Sequence, residues 1–445
     1  MRTDPATLQA ALPVPPLGSH SLLVLLLQLA ALLGLALLLG RLAVRLGWPA
    51  VVGELCAGVL LGPSVLAHLA PPVSRWLFPS VAEQAHLLDA VGQFGVLLMV
   101  AVSGLHLDLG LVRRQGATAA RVSFFGLVVP LGLGLALGLV LPATLFGPNG
   151  DRTVFALFLG VAMCVSAIPV IVKTLMDMNL LHRDIGQLTV TAGMIDDAVG
   201  WMLVSVVTAM VTAGSAGVTV LVSLAAIAGT LAVALLVRRP LRALFSAARR
   251  AEGDGPVTAL TVVLVLAAAA GTHALGLEPL FGAFVCGVVI AASGGVRPAR
   301  LAALRTVTMG VLGPLFLASA GLRMDLTQLA DPQVALMGAA TLALAVIGKF
   351  AGAYLGARTS RLGRWEAVAL GGGMNARGVV EVVIALVGLR LGVLTTATYT
   401  VIVLVAVVTS LMAPPVIRMA MNRIEQTPLE EQRRLAHAGA AAGQA

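Results

Sequence analysis

The sequence predicts an all-α integral membrane protein of thirteen transmembrane helices, built as an inverted repeat with two interrupted helices. Three observations carry this: an apolar composition, arginines concentrated in alternate loops, and two segments that recur seven helices apart. Hydrophobic residues make up 59% of the 445 and charged residues only 11%, whereas a soluble globular chain is typically about 25% charged. Mean hydropathy is +0.99.

Apolar runs long enough to cross a core of roughly 30 Å place spans at 21–40, 50–66, 86–104, 119–142, 154–176, 185–212, 217–237, 257–275, 278–293, 303–321, 334–357, 364–391 and 393–421. The first run is too long for a secretory leader and ends at Arg41, where a leader would end at a small-residue cleavage site. The spans at 50–66 and 278–293 are short, as suits helices tucked inside a bundle. Residues 1–423 thus form one transmembrane unit. The polar, then Ala/Gly-rich stretch 424–445 is expected to be a short disordered cytoplasmic tail.

Charge fixes the expected orientation. With the N-terminus outside, thirteen crossings put 22 of the 29 lysines and arginines in inside loops and five outside, satisfying the positive-inside rule. The net charge of +9 is therefore an orientation signal and calls for no nucleic-acid partner. The expected location is the plasma membrane with the C-terminus cytoplasmic, and membrane lipid is the expected surrounding. The three cysteines lie in apolar runs, and the seven histidines are scattered singly, so neither a disulfide framework nor a resident metal site is indicated. No nucleotide loop, triad or ligand spacing points to an enzyme, and no cofactor is called for.

The third observation is the repeat. Gly47-Trp-Pro-Ala-Val-Val-Gly53-Glu-Leu-Cys-Ala-Gly58-Val59 recurs as Gly276-Leu-Glu-Pro-Leu-Phe-Gly282-Ala-Phe-Val-Cys-Gly287-Val288 at an offset of 229. Ser103-Gly104-Leu105-His-Leu-Asp108-Leu109 recurs as Ala320-Gly321-Leu322-Arg-Met-Asp325-Leu326 at 217. Seven is odd, so the copies run oppositely through the membrane, which is the inverted-repeat logic of secondary transporters. The fifth span carries Ser166-Ala-Ile-Pro169, and the twelfth, seven helices later, carries Gly371-Gly372-Gly373-Met374-Asn375-Ala376-Arg377-Gly378. Both are expected to break, since proline deletes a donor and glycines weaken a helix. Broken helices in a membrane line cavities and offer carbonyls and half-helix dipoles to ions.

Charges inside spans mark the site. Asp196 and Asp197 adjoin in the span 185–212, Asp197 roughly 18 Å along it and so near mid-membrane. A carboxylate there costs roughly 2.5–3.5 kcal/mol on insertion scales, so the pair reads as an ion or proton site. Lys349 is equally central, and it is one of only two lysines in a chain that otherwise uses arginine. Lysine gives up a proton when buried and arginine does not, which suits Lys349 to titration, a static counter-ion being the other reading. Adjacent helical residues point about 100° apart, so one aspartate is free to pair with Lys349 and the other to face water. Arg377 and Glu381 are four apart and form an intrahelical pair that neutralises the twelfth span. Ser166 offers an oxygen at the fifth-span break. Glu54 and Asp89, near span starts, read as interfacial.

These segments resemble the cation/proton antiporter superfamily, in its second branch of Kef-type and NapA-type exchangers. The resemblance rests on Gly53-Glu-Leu-Cys-Ala-Gly-Val-Leu-Leu-Gly-Pro-Ser-Val-Leu66, Ser166-Ala-Ile-Pro-Val170, Asp196-Asp197, Gly282-Ala-Phe with Gly287, Gly321-Leu-Arg-Met-Asp325, Lys349 and Met374-Asn-Ala-Arg-Gly378. It implies an ion-carrying core bundle with two crossed broken helices, a dimerisation bundle that makes a homodimer, and an elevator-like movement. It also implies that Asp197 carries the cation or proton, that Asp196 pairs with Lys349 until an ion binds, and that exchange of H⁺ for Na⁺ or K⁺ is electrogenic. Ser166 departs from the threonine of many relatives, and the nucleotide-binding domain of full-length Kef-type systems is not seen in this sequence. A sodium-coupled organic-anion symporter on a related fold is the alternative, although it gives no reason for the central lysine or the aspartate pair. A potassium pore lacks its carbonyl-filter motif.

Overall fold

The apolar runs fold into helices because, without water, each backbone N–H and C=O must find its partner within the segment. In the computed structural model, residues 17–106, 109–214, 217–248 and 253–433 are described. Asp108 of the recurring segment lies outside them. The first half comprises α1 (Ser19–Arg45), α2 (Ala50–Leu61), α3 (Ala82–Leu105), α4 (Leu109–Val140), α5 (Arg152–Cys164), α6 (Ile168–Asp177) and α7 (Asp184–Ala213). The second comprises α8 (Gly217–Ala248), α9 (Gly255–Ala274), α10 (Pro279–Ser293), α11 (Ala299–Gly321), α12 (Pro332–Thr359), α13 (Arg364–Met374), α14 (Val379–Arg390) and α15 (Thr396–Met421). Among the described residues the only β pairing is an isolated bridge, Phe146 to Leu394.

Eleven spans in the described residues are long and apolar enough to cross a membrane, or twelve when α13 and α14, bent by 42°, are taken as one. The fifteen-residue α10 is a shorter apolar helix. Differences from the predicted spans have local causes. The run 50–66 stops being helical at Leu61 because Gly62 and Pro63 follow, and α8 continues three turns past its apolar run into Arg238–Ala248, since charge does not break a helix.

The helices sort into two bundles. The first packs α1 on α2, α2 on α11, and α3 and α9 on α10, with α8 outside. The second packs α4 against α5, α7 and α12, and α13 against α12 and α15. The bundles meet along α7, which touches α8 and α10, and along α14, which touches α11. The second bundle is closely packed around α5, which is buried almost throughout from Val154 to Cys164, whereas α8 leaves Leu221, Val222, Leu235 and Leu236 exposed for lipid.

Glycine contacts set the closest approaches of the first bundle. A Cβ on Gly58 would lie 1.9 Å from the Ala318 carbonyl oxygen, and one on Gly321 would lie 2.1 Å from that of Leu55. The recurring partners repeat this: a Cβ on Gly287 would meet the Ala101 oxygen at 2.2 Å, and one on Gly104 the Phe284 oxygen at 2.4 Å. Thus α2 crosses α11 at Gly58 and Gly321 as α10 crosses α3 at Gly287 and Gly104.

Residues 424–433 differ from the disordered tail that composition suggests. They fold back on the loop between α6 and α7, where Arg183 pairs with Glu430 at 3.1 Å and donates to the Ile424 and Glu425 carbonyls, each at 3.1 Å. Arg433 pairs with Asp184 at 2.7 Å and donates to the His182 carbonyl. Ion pairs and carbonyl acceptors hold this segment where apolar burial would not. Residues 434–445 lie outside the described residues.

Candidate ion-binding site

The site is built where two helices break. α5 ends at Cys164, residues 165–167 are extended, and α6 begins at Ile168 with Pro169 in its first turn, where a missing N–H costs nothing. α13 ends at Met374, and α14 begins at Val379 after Asn375–Gly378. The extended stretches are tied together, the Ala167 N–H donating to the Ala376 carbonyl at 3.2 Å. A Cβ on Gly378 would lie 2.6 Å from Cγ2 of Val170, so only glycine lets the second break lie this close to the first.

A helix that ends inside a membrane leaves unpaired carbonyls and a partial negative charge. Two buried cations meet that need at the end of α5. Arg377 donates to the Ala162, Met163 and Ala345 carbonyls and pairs with Glu381 at 3.2 Å. Lys349 donates to the Cys164 carbonyl. The Arg377–Glu381 pair predicted from spacing is therefore present, and the arginine also joins α5 and α12 to α14.

The two aspartates sit in opposite surroundings. The Asp196 carboxylate pairs with Lys349 Nζ at 2.5 Å and accepts from the Ser123 hydroxyl at 2.5 Å. Ser166 Oγ lies 3.0 Å from Asp196 Oδ2 and 2.8 Å from the Met374 carbonyl, so its single proton serves one of the two at a time. Asp197 is equally buried, at 0% exposure, yet no side chain hydrogen-bonds to it; the one group that approaches its carboxylate is the Ile168 N–H at the start of α6. Asn375 Oδ1 and Glu381 Oε2 are also buried without partners. Native proteins leave few such groups, and an unpaired buried charge is expensive. The first aspartate is thus already neutralised and hydrogen-bonded by side chains, and the second is not.

A cavity of about 630 Å³ reaches this region from the end of the molecule that bears Lys173, His106 and Arg305. Pro169 of the first break, Val379 of the second, and Val190 and Met194 of α7 line it, as does Glu54. Of the residues singled out in the sequence, Asp196, Lys349 and Ser166 come into direct contact, Arg377 and Glu381 pair beside them, and Asn375 and Pro169 occupy the two breaks. Glu54, expected at an interface, lies on the cavity wall, and Asp89 pairs with Arg323. Sequence reasoning passed over Ser123, whose hydroxyl is as close to Asp196 as the lysine. A lone serine in an apolar run carries no signal of its own.

Comparisons with known proteins show what the chain is similar to. The family model described as sodium/hydrogen exchanger, transmembrane, matches residues 30–423. The chain is 29% identical over 404 residues to the Na(+)/H(+) antiporter NhaS4 of Synechocystis sp., covering 90% of this chain and 98% of that protein. It is 30% identical over 402 residues to Cation/H(+) antiporter 17 of Arabidopsis thaliana, covering 89% of this chain but 48% of the relative. It is 27% identical to K(+)/H(+) antiporter 1 of Saccharomyces cerevisiae, covering 83% and 43%. The chain thus spans about half the length of the Arabidopsis relative and less of the yeast one. The solved sodium proton antiporter MjNhaP1 of Methanocaldococcus jannaschii superposes with a TM-score of 0.67 at 13% identity, covering 90% of this chain and 99% of that one, and so shares the fold. The chain belongs to the transmembrane sodium/hydrogen exchanger family.

Proposed function

We propose that the protein is a secondary active antiporter exchanging Na⁺ or K⁺ for H⁺ across the plasma membrane, with Asp197 as carrier and Asp196–Lys349 as the switch. The observation that carries this is the unequal pair: one buried aspartate held by a lysine, Ser123 and a shared Ser166 hydroxyl, its neighbour with no side-chain partner at all. A carboxylate able to hold either a proton or a cation couples their opposite movements once access alternates, and the two ligands compete for one charge. When a cation neutralises Asp197, the field at Asp196 changes and its hold on Lys349 weakens. A lysine that releases its proton in that step makes the exchange electrogenic.

In this reading α10 is a full crossing, the chain spans thirteen times with its N-terminus outside, and the cavity opens to the cytoplasm. The glycine crossings Gly58–Gly321 and Gly287–Gly104 support an inverted repeat, because each pairs one copy with the other in the same way. The sparse boundary between bundles supports movement of the second bundle, carrying the site, against a first bundle that pairs two protomers.

The test is cation-induced dequenching of a pH dye in sealed proteoliposomes. Wild type is expected to move protons on addition of Na⁺ or K⁺, and Asp197→Asn to lose that response while remaining folded. Cation-driven proton movement that survives Asp197→Asn refutes the carrier assignment, and no response of wild type to any alkali cation refutes the antiporter.

A further inference from the structure

The cavity comes from one end as far as Met194, one helical turn short of the buried Asp197, and the stretch of α7 beyond has its own wall. Val190, Met194, Asp197, Trp201, Val204 and Thr208 fall within roughly 80° of one another around α7 at about 100° per residue, so they form one stripe. Val190 and Met194 line the open cavity. Beyond Asp197 the stripe is sealed: Trp201 is 1% exposed and Val204 0%. It ends at Thr208, roughly 16 Å past Asp197 at 1.5 Å per residue, where the threonine hydroxyl lies 3.4 Å from Glu278 Oε2 on the first bundle.

Apart from the α7–α8 connection, three hydrogen bonds join the two bundles in the described residues, and all three are at this far end. Besides Thr208 to Glu278, the Tyr399 hydroxyl donates to the Ala320 carbonyl at 2.7 Å, and the Asp325 N–H donates to Thr400 Oγ1 at 3.0 Å. Glu278 is the member that can ionise. It occupies the residue before α10, where an acidic side chain ordinarily accepts from its own helix N–H groups. Here it makes no such cap bond, is 8% exposed, and turns instead to α7. Arg390, at the end of α14, lies within electrostatic reach of it and of the Asp89–Arg323 pair.

We infer that Glu278 is the gate residue of the far exit, resting on the exchanger reading above. Its carboxylate closes the route through Thr208 in this conformation. When the bundles part, it becomes the fixed negative charge that an alkali cation meets on entering or leaving toward Asp197. It positions the cation and the closed state; the carrier chemistry stays with Asp197.

The experiment introduces Val204→Cys and reacts it with a membrane-impermeant maleimide supplied from the Glu278 side of sealed proteoliposomes, the label at position 204 being located by mass spectrometry. Slow labelling is expected with the gate intact. Glu278→Ala, and separately the near-isosteric Thr208→Val, are each expected to speed it about threefold, the lower range for a hydrogen bond as long as this one. A rate unchanged in either background overturns the gate. Labelling needs no exchange activity, and repeating it with Asp197→Asn gives the same answer even if the exchanger reading fails. In wild type that does exchange, Glu278→Gln is expected to raise KM for cation supplied from its own side and to leave KM from the other side unchanged. Equal changes on both sides would count against the gate.

Discussion

At the scale of residues, the unequal burial of two neighbours does the work. Asp196 has Lys349, Ser123 and a shared Ser166 as side-chain donors and Asp197 has no side-chain donor, although one peptide separates them. Ser123→Ala removes one donor from Asp196 without touching Lys349 or Ser166. It should lower exchange about tenfold, as loss of a hydrogen bond to a charged group does, with unchanged yield and thermal stability in detergent. Wild-type exchange in Ser123→Ala would mean that Lys349 alone sets the Asp196 carboxylate. The aspartates and Lys349 were legible in the sequence because charge in an apolar run is costly and therefore purposeful. Ser123 was not, since a hydroxyl costs little in a helix where it can bond back to a carbonyl, and many serines and threonines here do so.

At the scale of elements, two broken helices and four glycines shape the molecule. Both breaks were readable from Pro169 and from Gly371–Gly378, but what fills them was not. The carbonyls of Ala162, Met163 and Cys164 are met by Arg377 and Lys349 from distant helices, and no local pattern announces such a pairing. The recurring glycines mark the repeat in the sequence, and the structure gives them a physical duty as helix crossings. A methyl at Gly58 meets backbone at 1.9 Å and cannot be absorbed by a side-chain rotation. Gly58→Ala should therefore force α2 from α11, lowering the melting temperature by several degrees or abolishing folded yield, as overpacking of about 1–3 kcal/mol or more does. Gly34→Ala in α1, where nothing lies within 4 Å, is the control and should be silent in the same fluorescence-monitored melt.

At the scale of the whole molecule, two bundles meet along α7, open at one end and bonded at the other. The tail strengthens the open end of the second bundle by strapping α15 to the loop that joins α6 to α7. Burial pushes the Glu430 carboxyl up, but the Thr427 and Asp184 N–H groups and the Arg183 guanidinium outweigh it and hold the group below its ordinary 4.5. A depressed carboxylate contributes stability that is full above its unfolded value and lost as pH falls through the folded one. The strap should thus resist limited proteolysis near neutrality and release as pH falls below about 4.5. Glu430→Gln should release it at pH 7, and equal cleavage of variant and wild type there would show that the ion pairs do not hold it. Composition hid this strap, because polar sequence reads as disorder unless its partner, Arg183, is known.

The most direct measurement is of protons released when Na⁺ or K⁺ is added to the purified protein in weakly buffered detergent solution. One carboxylate that holds either ligand predicts that cation binding expels protons from wild type and expels none from Asp197→Asn. Cation binding without proton release in wild type, or undiminished release from Asp197→Asn, would contradict the assignment of Asp197 as the shared site.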